Sequence, residues 1–481
     1  MRLTLESVDC ASAAVKRPQY ARTEVTPGIV HLGIGAFHRA HQAVVIDDVL
    51  ERESGWGIIG VSFRRPDTKE ALEPQDGLYT LLIKDGDTRA SRIVGSLLSV
   101  LDARTEKEAL LSRMADAAMR IVSLTVTEKG YCYNAASGGL DVAHPGIVAD
   151  LKTPRNPSTV AGIIAEALRR RMEVDLAPFA VLSCDNLPHN GAVTARVVTE
   201  FAEAVDAKLG RWVRDNVAFP GTMIDRIVPA TTDADRAEVA ALTGLEDAWP
   251  VVGEPFLQWV VEDKFAGQRP PLEIGGAEWA SDVAPYERMK LRMLNGTHSS
   301  MAYLGYLGGY EFIADVIADP HFQRFIGGEL KEEIAPTLGM AKAETDAYAV
   351  KLLKRYSNTA MKHRTYQIAM DGSQKLPQRL LGTISDRLRA GAPIERLSLT
   401  LAAWMIYAQG RDFAGKPIVV QDPLAAEFAA IDPERLVEGY LSLERIFPRE
   451  LAGSGVFREA VERKVELLKM VGVAEAVRMV A

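Results

Sequence analysis

Cysteine is scarce in this chain of 481 residues, with only Cys10, Cys132 and Cys184. The three form no Cys-x-x-Cys pair and no group spaced like the ligands of a zinc ion. We therefore expect a reducing compartment, no disulfide framework and no bound metal. The same spacing argues against a zinc-dependent alcohol dehydrogenase.

Long apolar runs and excess positive charge are also missing. The longest plausible apolar run, 397–410, has 14 uncharged residues, whereas about 18 are needed to span a bilayer. The N-terminus lacks the apolar segment of a secretory signal. Lys and Arg number 56 against 64 Asp and Glu, a net charge of −8, which disfavours nucleic acid or an anionic membrane as partner. These features predict a cytoplasmic protein that acts on a small molecule.

What the chain does contain is enough apolar sequence, 47% of its residues, for more than one core. Its first half alternates short apolar strands with segments of helical period. The predicted strands are 29–33, 58–63, 121–127 and 179–183; the predicted helices are 36–50, 159–171 and 192–209; and 78–84 with 89–94 predict a hairpin around Asp85-Gly86. The pattern is that of a doubly wound α/β sheet.

Beyond Pro285 the pattern changes to long helical segments punctuated by proline and glycine. We therefore predict two domains. Residues 1–284 would form a dinucleotide-binding Rossmann-type α/β domain with insertions, and residues 285–481 a mainly α-helical domain that carries substrate-binding and catalytic groups.

A glycine-rich turn follows the first predicted strand, as Gly33-Ile-Gly35-Ala36-Phe37-His38. Gly33 permits a tight turn, Gly35 lets the backbone approach a pyrophosphate, and the next helix offers its N-terminal N–H groups. His38 stands where the dinucleotide fingerprint has its third glycine. Between a strand and a helix, the motif favours NAD binding over a turn without ligand.

The segment after the second predicted strand, Arg64-Arg65-Pro66-Asp67, carries positive and negative side chains. Asp67 could accept hydrogen bonds from both ribose hydroxyls of NAD, whereas either arginine could meet the 2′-phosphate of NADP. The segment leaves dual use open, and a solvated charged loop is the alternative without a ligand.

A lysine, an amide and an imidazole stand close together after the predicted boundary, as Lys290, Asn295 and His298. On a helix turning about 100° per residue, they and Glu287 would fall within one arc of roughly 140°. Lysine becomes a base when burial or nearby charge lowers its pKa, and the other two groups can hold a carbonyl or alkoxide oxygen. Together they predict proton removal from an alcohol, although each alone has an ordinary structural explanation.

Several long motifs, in order and nearly from end to end, make the chain similar to the mannitol dehydrogenase family of long-chain, zinc-independent polyol and sugar-acid dehydrogenases. They are residues 33–41, 121–131, 183–188, 225–229, 254–256 with 258–259, and 290–298. The family transfers a hydride reversibly between a secondary alcohol and NAD(P). The resemblance implies a monomer.

The resemblance also implies roles for individual residues. The catalytic lysine would be Lys290, and the groups that hold the reacting oxygen would be Asn186, Asn295 and His298. A substrate carboxylate contact falls on Asp225, and the acidic groups of the proton path on Glu128 and Glu287. The cofactor residues would be Gly33, Gly35, Ala36, Phe37 and, for NAD selection, Asp67; the neighbouring Arg65 departs from the mannitol-oxidising pattern.

The segment 358–379 resembles fructuronate reductases, with Gln367 where mannitol-oxidising members have an arginine. Arg364, Lys375 and Arg379 would there meet the carboxylate of a hexuronate. Leu257 and the segment 186–194 instead resemble mannitol dehydrogenases. The leading hypothesis is interconversion of D-fructuronate and D-mannonate. Oxidation of D-mannitol or a related polyol is the alternative, and a non-catalytic nucleotide-binding protein is the hypothesis outside the enzyme class.

Overall fold

A computed structural model describes residues 1–134 and 137–481. Its residues cluster into two compact units, Met1–Ala284 and Pro285–Ala481. The first unit mixes strands and helices and the second is helical, so the predicted Rossmann-type α/β fold followed by a mainly helical part is confirmed.

The strands that the structure describes all lie in the first unit. They are β1 (Pro27–Leu32), β2 (Gly57–Ser62), β3 (Tyr79–Asp85), β4 (Thr88–Val94), β5 (Leu97–Asp102), β6 (Ile121–Leu124), β7 (Tyr133–Asn134), β8 (Gly139–Leu140), β9 (Ala180–Ser183), β10 (Thr222–Asp225), β11 (Val251–Gly253), β12 (Gln258–Glu262) and β13 (Glu278–Ala280). The helices of this unit are α1 (Ala36–Ala40), α2 (Gln42–Val49), α3 (Asp67–Leu72), α4 (Lys107–Ala115), α5 (Pro145–Lys152), α6 (Val160–Glu173), α7 (Asn190–Val205), α8 (Ala207–Asn216) and α9 (Asp233–Thr243).

Five parallel strands form the central sheet in the order β5-β2-β1-β6-β9. Apolar residues alternate between two buried clusters along β1: Val30 and Leu32 belong to one, Ile29 to the other. Both faces are thus covered, as parallel sheets require. The chain winds outwards in both directions from the pair β1 and β6, which is the switch point where such sheets bind nucleotides.

Three predicted elements end earlier than their sequence pattern indicates. The helix predicted over 36–50 breaks at His41 (φ −126°, ψ −90°), and the helix over 192–209 breaks at Asp206, whose side chain caps α8. The strand predicted over 121–127 stops at Leu124, because the N–H groups of Val126 and Thr127 donate to the carboxylate of Asp185 instead of a neighbouring strand.

Smaller sheets complete the first unit. The predicted hairpin is present, with β3 and β4 antiparallel from the pair Tyr79 and Val94 to the pair Asp85 and Thr88. A second sheet has the order β10-β12-β13, in which Asp225 at the end of β10 stands opposite Gln258.

The second unit consists of helices, three segments of which are π-helical. The α-helices are α10 (Ala284–Met289, beginning one residue before the unit), α11 (Thr297–Leu307), α12 (Ile313–Ala318), α13 (Pro320–Gly328), α14 (Lys342–Tyr356), α15 (Thr365–Ala369), α16 (Gly372–Leu376), α17 (Gly382–Arg389), α18 (Glu395–Ala408), α19 (Ala425–Ala429), α20 (Leu436–Leu441), α21 (Arg449–Ala452) and α22 (Gly455–Val480). The π-helical segments are π1 (Lys290–Gly296), π2 (Glu329–Ile334) and π3 (Pro377–Leu381).

The apolar run at 397–410 is the central helix of this unit. In α18 every residue from Leu397 to Ala408 is buried, and the helix packs against α11 and α22. Trp404 contributes an aromatic cluster with Phe428, Tyr440 and Phe447. Among the described residues, no helix is long and apolar enough to cross a membrane.

Candidate active site

The carboxyl ends of the parallel strands place several predicted residues along one edge of the first unit. Gly33 follows β1, Asp67 lies beyond β2, Glu128 lies beyond β6 and Asn186 lies beyond β9. Because parallel strands all end at the same edge, these residues share the edge at which doubly wound sheets bind nucleotides.

The turn after β1 has the backbone geometry that the glycine motif predicts. Gly33 adopts φ +99°, and a Cβ atom there would stand 2.2 Å from the carbonyl oxygen of Thr125, so a side chain is excluded. Gly35 is the N-cap of α1, and a Cβ there would meet nothing nearer than 3.9 Å. No side chain caps α1. Open space in front of Gly35 and uncapped N–H groups at Ala36 and Phe37 fit a pyrophosphate.

The buried His31 supports this turn through Thr125, a contact that the sequence motif does not reveal. The hydroxyl of Thr125 donates to the carbonyl of Gly33 at 2.7 Å. His31 Nε2 lies 2.8 Å from the Thr125 oxygen, and Nδ1 lies 2.8 Å from Ser123 Oγ. Since the Thr125 proton is committed to Gly33, Nε2 carries the imidazole proton and Nδ1 accepts from Ser123.

His38 takes the place of the fingerprint's third glycine by packing rather than by small size. Its ring stacks on that of His31 with centroids 3.4 Å apart and an interplanar angle of 14°. Burial lowers the pKa of His31 to about 3 and also lowers that of His38, so both rings are neutral near pH 7. The stack therefore joins α1 to β1 without burying charge.

The segment beyond β2 presents a half-buried carboxylate and two exposed cations. Asp67 begins α3, where its Oδ1 accepts from the N–H of Thr68 at 2.9 Å. Arg64 and Arg65 are exposed, and the Arg65 carbonyl accepts from Ser62. Asp67 therefore keeps a fixed carboxylate at the position that the sequence predicts to meet the ribose of NAD.

Three predicted polar residues lie near strand ends in the same unit. Glu128 begins a short 3₁₀ helix (Glu128–Tyr131), and both Glu128 and Asn186 are exposed. Asp225 is buried, with 4% of its surface exposed. The structure thus leaves Glu128 and Asn186 exposed at the surface of this unit and encloses Asp225.

In the second unit, Lys290 and Asn295 lie on a π-helix, not on the regular α-helix that the sequence indicated. The segment π1 runs from Lys290 to Gly296, and α11 continues it from Thr297. A π-helix bonds residue i to residue i+5, so Lys290 and Asn295 are one turn apart on one face. The predicted arc of 140°, which assumed a regular α-helix, is therefore wrong.

Side-chain donors satisfy the carbonyl groups at the end of this wide turn. Thr297 Oγ1 donates to the Met293 carbonyl at 2.6 Å, and Tyr356 donates to that of Leu294 at 3.2 Å. The carbonyl of Asn295 accepts from Ser299 at 3.2 Å and from Arg379, and that of Gly296 accepts from Ser300. These bonds stabilise the π-helical conformation where regular helix bonding is displaced.

His298 lies in the first turn of α11 and is 7% exposed. Its ring centroid lies 4.9 Å from that of Tyr356 and 5.4 Å from that of His363. Burial, with further contributions from His363 and the nearby arginines Arg355 and Arg379, holds the His298 pKa well below its ordinary value. A neutral imidazole can donate one hydrogen bond to an oxygen, while Lys290 and Glu287 are half-buried and in reach of solvent.

The three cations predicted to meet a carboxylate have different surroundings. Arg364 has a largely exposed side chain (55%) and pairs with Glu311 at 2.9 Å. Lys375 is half-buried, and its Nζ donates to the carbonyls of Met370 (2.5 Å) and Ile368 (3.3 Å). Arg379 is half-buried and lies beside Asn295, as described above.

Two family models cover most of the chain. The model of the mannitol dehydrogenase Rossmann domain matches residues 27–274, and that of the mannitol dehydrogenase C-terminal domain matches residues 282–469. The chain belongs to the mannitol dehydrogenase family. It is therefore an NAD-dependent oxidoreductase from a family that works without a metal ion. Among the described residues, no group of three or more His, Cys, Asp or Glu side chains is arranged to hold a metal.

The family likeness extends over the whole length of several relatives. The chain is 44% identical to the D-mannonate oxidoreductase of Escherichia coli (strain K12), over 96% of this chain and 97% of that protein. It is 37% identical to the Pseudomonas fluorescens mannitol 2-dehydrogenase solved as a ternary complex with NAD and D-mannitol (TM-score 0.84; 100% and 99% covered). A D-sorbitol dehydrogenase in substrate-free form is 35% identical (TM-score 0.92; 99% and 100% covered).

The two glycines of the turn predict different defects. Gly33→Ala should lower the free energy of unfolding by at least about 1–3 kcal/mol, because the methyl group would meet the Thr125 carbonyl at a positive φ. Gly35→Ala should leave the free energy of unfolding within about 0.5 kcal/mol. It should nevertheless weaken NADH binding about tenfold, since the methyl group would occupy the approach to the pyrophosphate. Chemical denaturation and NADH fluorescence titration measure the two effects. Unaltered NADH affinity in Gly35→Ala would contradict this use of the turn.

Proposed function

We propose that this protein interconverts D-fructuronate and D-mannonate with NAD(H). The observation that carries the proposal is a pair of half-buried cations, Lys375 and Arg379, four residues apart. No carboxylate of the described residues stands within 4 Å of either as an ion-pair partner. Asp371 and Asp422 act on Lys375 only from a distance, so a sugar acid would bring the directly contacting negative charge that both cations lack among the described residues.

The pKa values of both cations reflect the free-energy cost of burying a charge without an ion-pair partner. Burial lowers the pKa of Lys375, and the neighbouring Arg379 lowers it further. Burial likewise lowers the pKa of Arg379, which donates to Ser299 Oγ at 3.2 Å. Because an unpaired charge is costly to desolvate, a bound carboxylate would stabilise both groups in their charged form.

Arg379 lies next to π1, the segment that contains Lys290 and Asn295. Its guanidinium donates to the backbone carbonyl of Asn295 at 3.4 Å, and π3, which contains Arg379, contacts π1. A substrate carboxylate near Arg379 would therefore lie within a few atoms of Asn295. Gln367, in place of the arginine of mannitol-oxidising members, and the identity to the D-mannonate oxidoreductase also support a sugar acid.

Lys290 is proposed to act as general base in oxidation and as general acid in reduction, exchanging one proton with the substrate oxygen. Asn295 and His298 would donate hydrogen bonds to that oxygen, and Asn186 is assigned the same role. Bound NAD accepts the hydride from the carbinol carbon. Glu128 and Glu287 would pass the proton to solvent, and Asp225 would accept from substrate hydroxyls.

A D-mannitol or related polyol 2-dehydrogenase is the second candidate. Leu257 replaces an arginine of the uronate branch, and the segment 186–194 resembles that of mannitol dehydrogenases. The same catalytic groups would serve both substrates. The two candidate substrates therefore differ in the group at the end away from the reacting carbon, which is a carboxylate in the uronate and a hydroxyl group in the polyol.

Steady-state assays with NADH decide between them. We expect kcat/KM for D-fructuronate to exceed that for fructose by at least about tenfold, the effect of one charge-assisted hydrogen bond. A clear preference for fructose would discard the uronate assignment and favour the polyol. NADH binding without turnover of any ketose, polyol or uronate would instead favour a non-catalytic protein.

Substitution of Lys375 separates the substrate's charge from its hydroxyl groups. Lys375→Gln should lower kcat/KM for fructuronate by about 10- to 100-fold and for a ketose much less, since only the uronate loses a charged partner. The ratio is diagnostic because the change also removes hydrogen bonds to Met370 and Ile368, which affects both substrates. Arg364→Gln is the control: paired with Glu311 and exposed, it should change the ratio little. Equal losses for both substrates in Lys375→Gln would sink the role of this lysine.

Removal of the proposed base tests the chemistry independently of the substrate. Lys290→Ala should lower kcat by about 10²- to 10⁴-fold, the usual contribution of a positioned proton-transfer group. Added primary amine should restore part of the activity, and the rise of oxidation with pH that we expect of the wild type should be absent from the variant. Arg288→Ala removes an exposed cation two residues away and should behave as wild type. Near-normal turnover in Lys290→Ala would refute the assignment.

A further inference from the structure

The loop after β6 holds a residue in a strained backbone conformation directly before a proposed proton-path residue. Thr127 adopts φ +66° and ψ 160°, and Glu128 follows it. Residues with a Cβ atom rarely occupy this region, and they remain there only when surrounding contacts enforce it. Thr127 is itself exposed, so burial of its side chain does not supply that enforcement.

A buried carboxylate just beyond the neighbouring strand β9 supplies this enforcement. Asp185 Oδ2 accepts from the N–H of Val126, and Oδ1 accepts from the N–H of Thr127, both at 2.9 Å. The hydroxyl of Tyr131 donates to Oδ2 at 2.7 Å. Since the Tyr131 proton is committed to Asp185, the hydroxyl of Ser183 donates to Tyr131 in turn, at 2.5 Å. Asp185 is 8% exposed and Tyr131 1%.

Hydrogen bonds also anchor the backbone of Asp185 and of the residue before it. The N–H of Cys184, directly after β9, donates to the carbonyl of Leu124 at the end of β6. The side-chain amide of Asn190 donates to the carbonyls of Asp185 (3.1 Å) and Thr222 (2.8 Å). Asn186 therefore lies between two anchored residues, Asp185 and Asn190, although its own side chain is exposed.

We propose that Asp185 is a positioning residue that fixes Glu128 and Asn186 in their catalytic places through this single set of hydrogen bonds. The roles of Glu128 and Asn186 rest on the proposed function. The hydrogen bonds of Asp185 do not. Asp185 thereby couples the loops after β6 and β9, so a disturbance of one carboxylate displaces groups from both strands.

The chemistry of the site requires a carboxylate rather than an amide. Three donors, two N–H groups and one O–H group, converge on the two oxygens of Asp185, and a carboxylate can accept all of them. In Asp185→Asn one of these oxygens becomes an NH₂ group that faces a donor. The loop would then lose at least one of the bonds that keep Thr127 at positive φ.

The test combines kinetics with hydrogen exchange. Asp185→Asn should lower kcat by about 10- to 100-fold, the effect of misplacing catalytic groups by about 1 Å. Affinity for NADH should change less than about twofold, because the turn at Gly33 and Gly35 is intact. Exchange of the Val126 and Thr127 amides should accelerate. Wild-type kcat, or a loss that appears only as weaker NADH binding, would overturn the proposal.

A second pair of variants tests whether strain at Thr127 is the cause. If Asp185 acts by enforcing positive φ, Asp185→Asn should cost less in a Thr127→Gly background, since glycine adopts this conformation without help. Equal losses in both backgrounds would overturn that cause. Tyr131→Phe removes one donor and leaves both backbone bonds, so its kcat loss should be clearly smaller than that of Asp185→Asn.

Failure of folding and failure of the proposed function are distinguishable from failure of this inference. Should Asp185→Asn not fold by circular dichroism, Tyr131→Phe decides: faster exchange at Val126 and Thr127 with lowered kcat supports the proposal, and no change in either overturns it. Should the wild type turn over no sugar, the proposed function falls. Amide exchange in Asp185→Asn then still tests the anchoring, and unchanged exchange rates would overturn it.

Discussion

Backbone groups released where regular structure stops must still find hydrogen-bond partners, and the candidate site depends on how this chain provides them. Asp185 serves the N–H groups of Val126 and Thr127 beyond the end of β6, and Thr125 serves the carbonyl of Gly33 beyond β1. In the second unit, side-chain donors such as Tyr356 serve the carbonyls of π1. In each case a side chain fixes an irregular segment that carries a proposed functional residue, so precision comes from polar contacts rather than from secondary structure.

The sequence predicted those parts of the molecule that depend on periodicity. Buried parallel strands such as β1 and β9 are short apolar runs bounded by polar residues. Gly33 and Gly35 mark the turn after β1, where the position of Gly33 permits only glycine. The break at His41 and the π-helix at Lys290–Gly296 were beyond such reasoning. Both involve hydrogen bonds to residues distant in sequence, from His41 to the Gln258 carbonyl and from Tyr356 and Arg379 to the carbonyls of π1. Asp185 lay inside a quoted motif, but its three donors come from residues more than 50 positions away.

Substrate choice is harder to read because the cations that bear on it differ in burial, which sequence does not reveal. Arg364, Lys375 and Arg379 looked equivalent in a basic segment. The structure gives Arg364 a counter-ion in Glu311 and leaves it largely exposed, whereas Lys375 and Arg379 are half-buried and bonded to neutral oxygens. A surface ion pair contributes little, but a partly desolvated cation without a partner is a strong site for an anion. Any preference for a sugar acid must therefore come mainly from the latter two.

The buried imidazoles constrain which group can change its charge during the reaction. Desolvation holds the pKa of His298 well below its ordinary value, and that of His31 at about 3. Such rings stay neutral across the physiological range, and they can orient an oxygen or a glycine turn without storing a proton. Proton exchange with the substrate then falls to a group with exposure to solvent. Lys290 is half-buried, and the carboxylate of Glu287 lies on the preceding turn. On the proposed function, burial would divide the roles: the enclosed neutral imidazole of His298 would position the oxygen, and the half-exposed ammonium of Lys290 would transfer the proton.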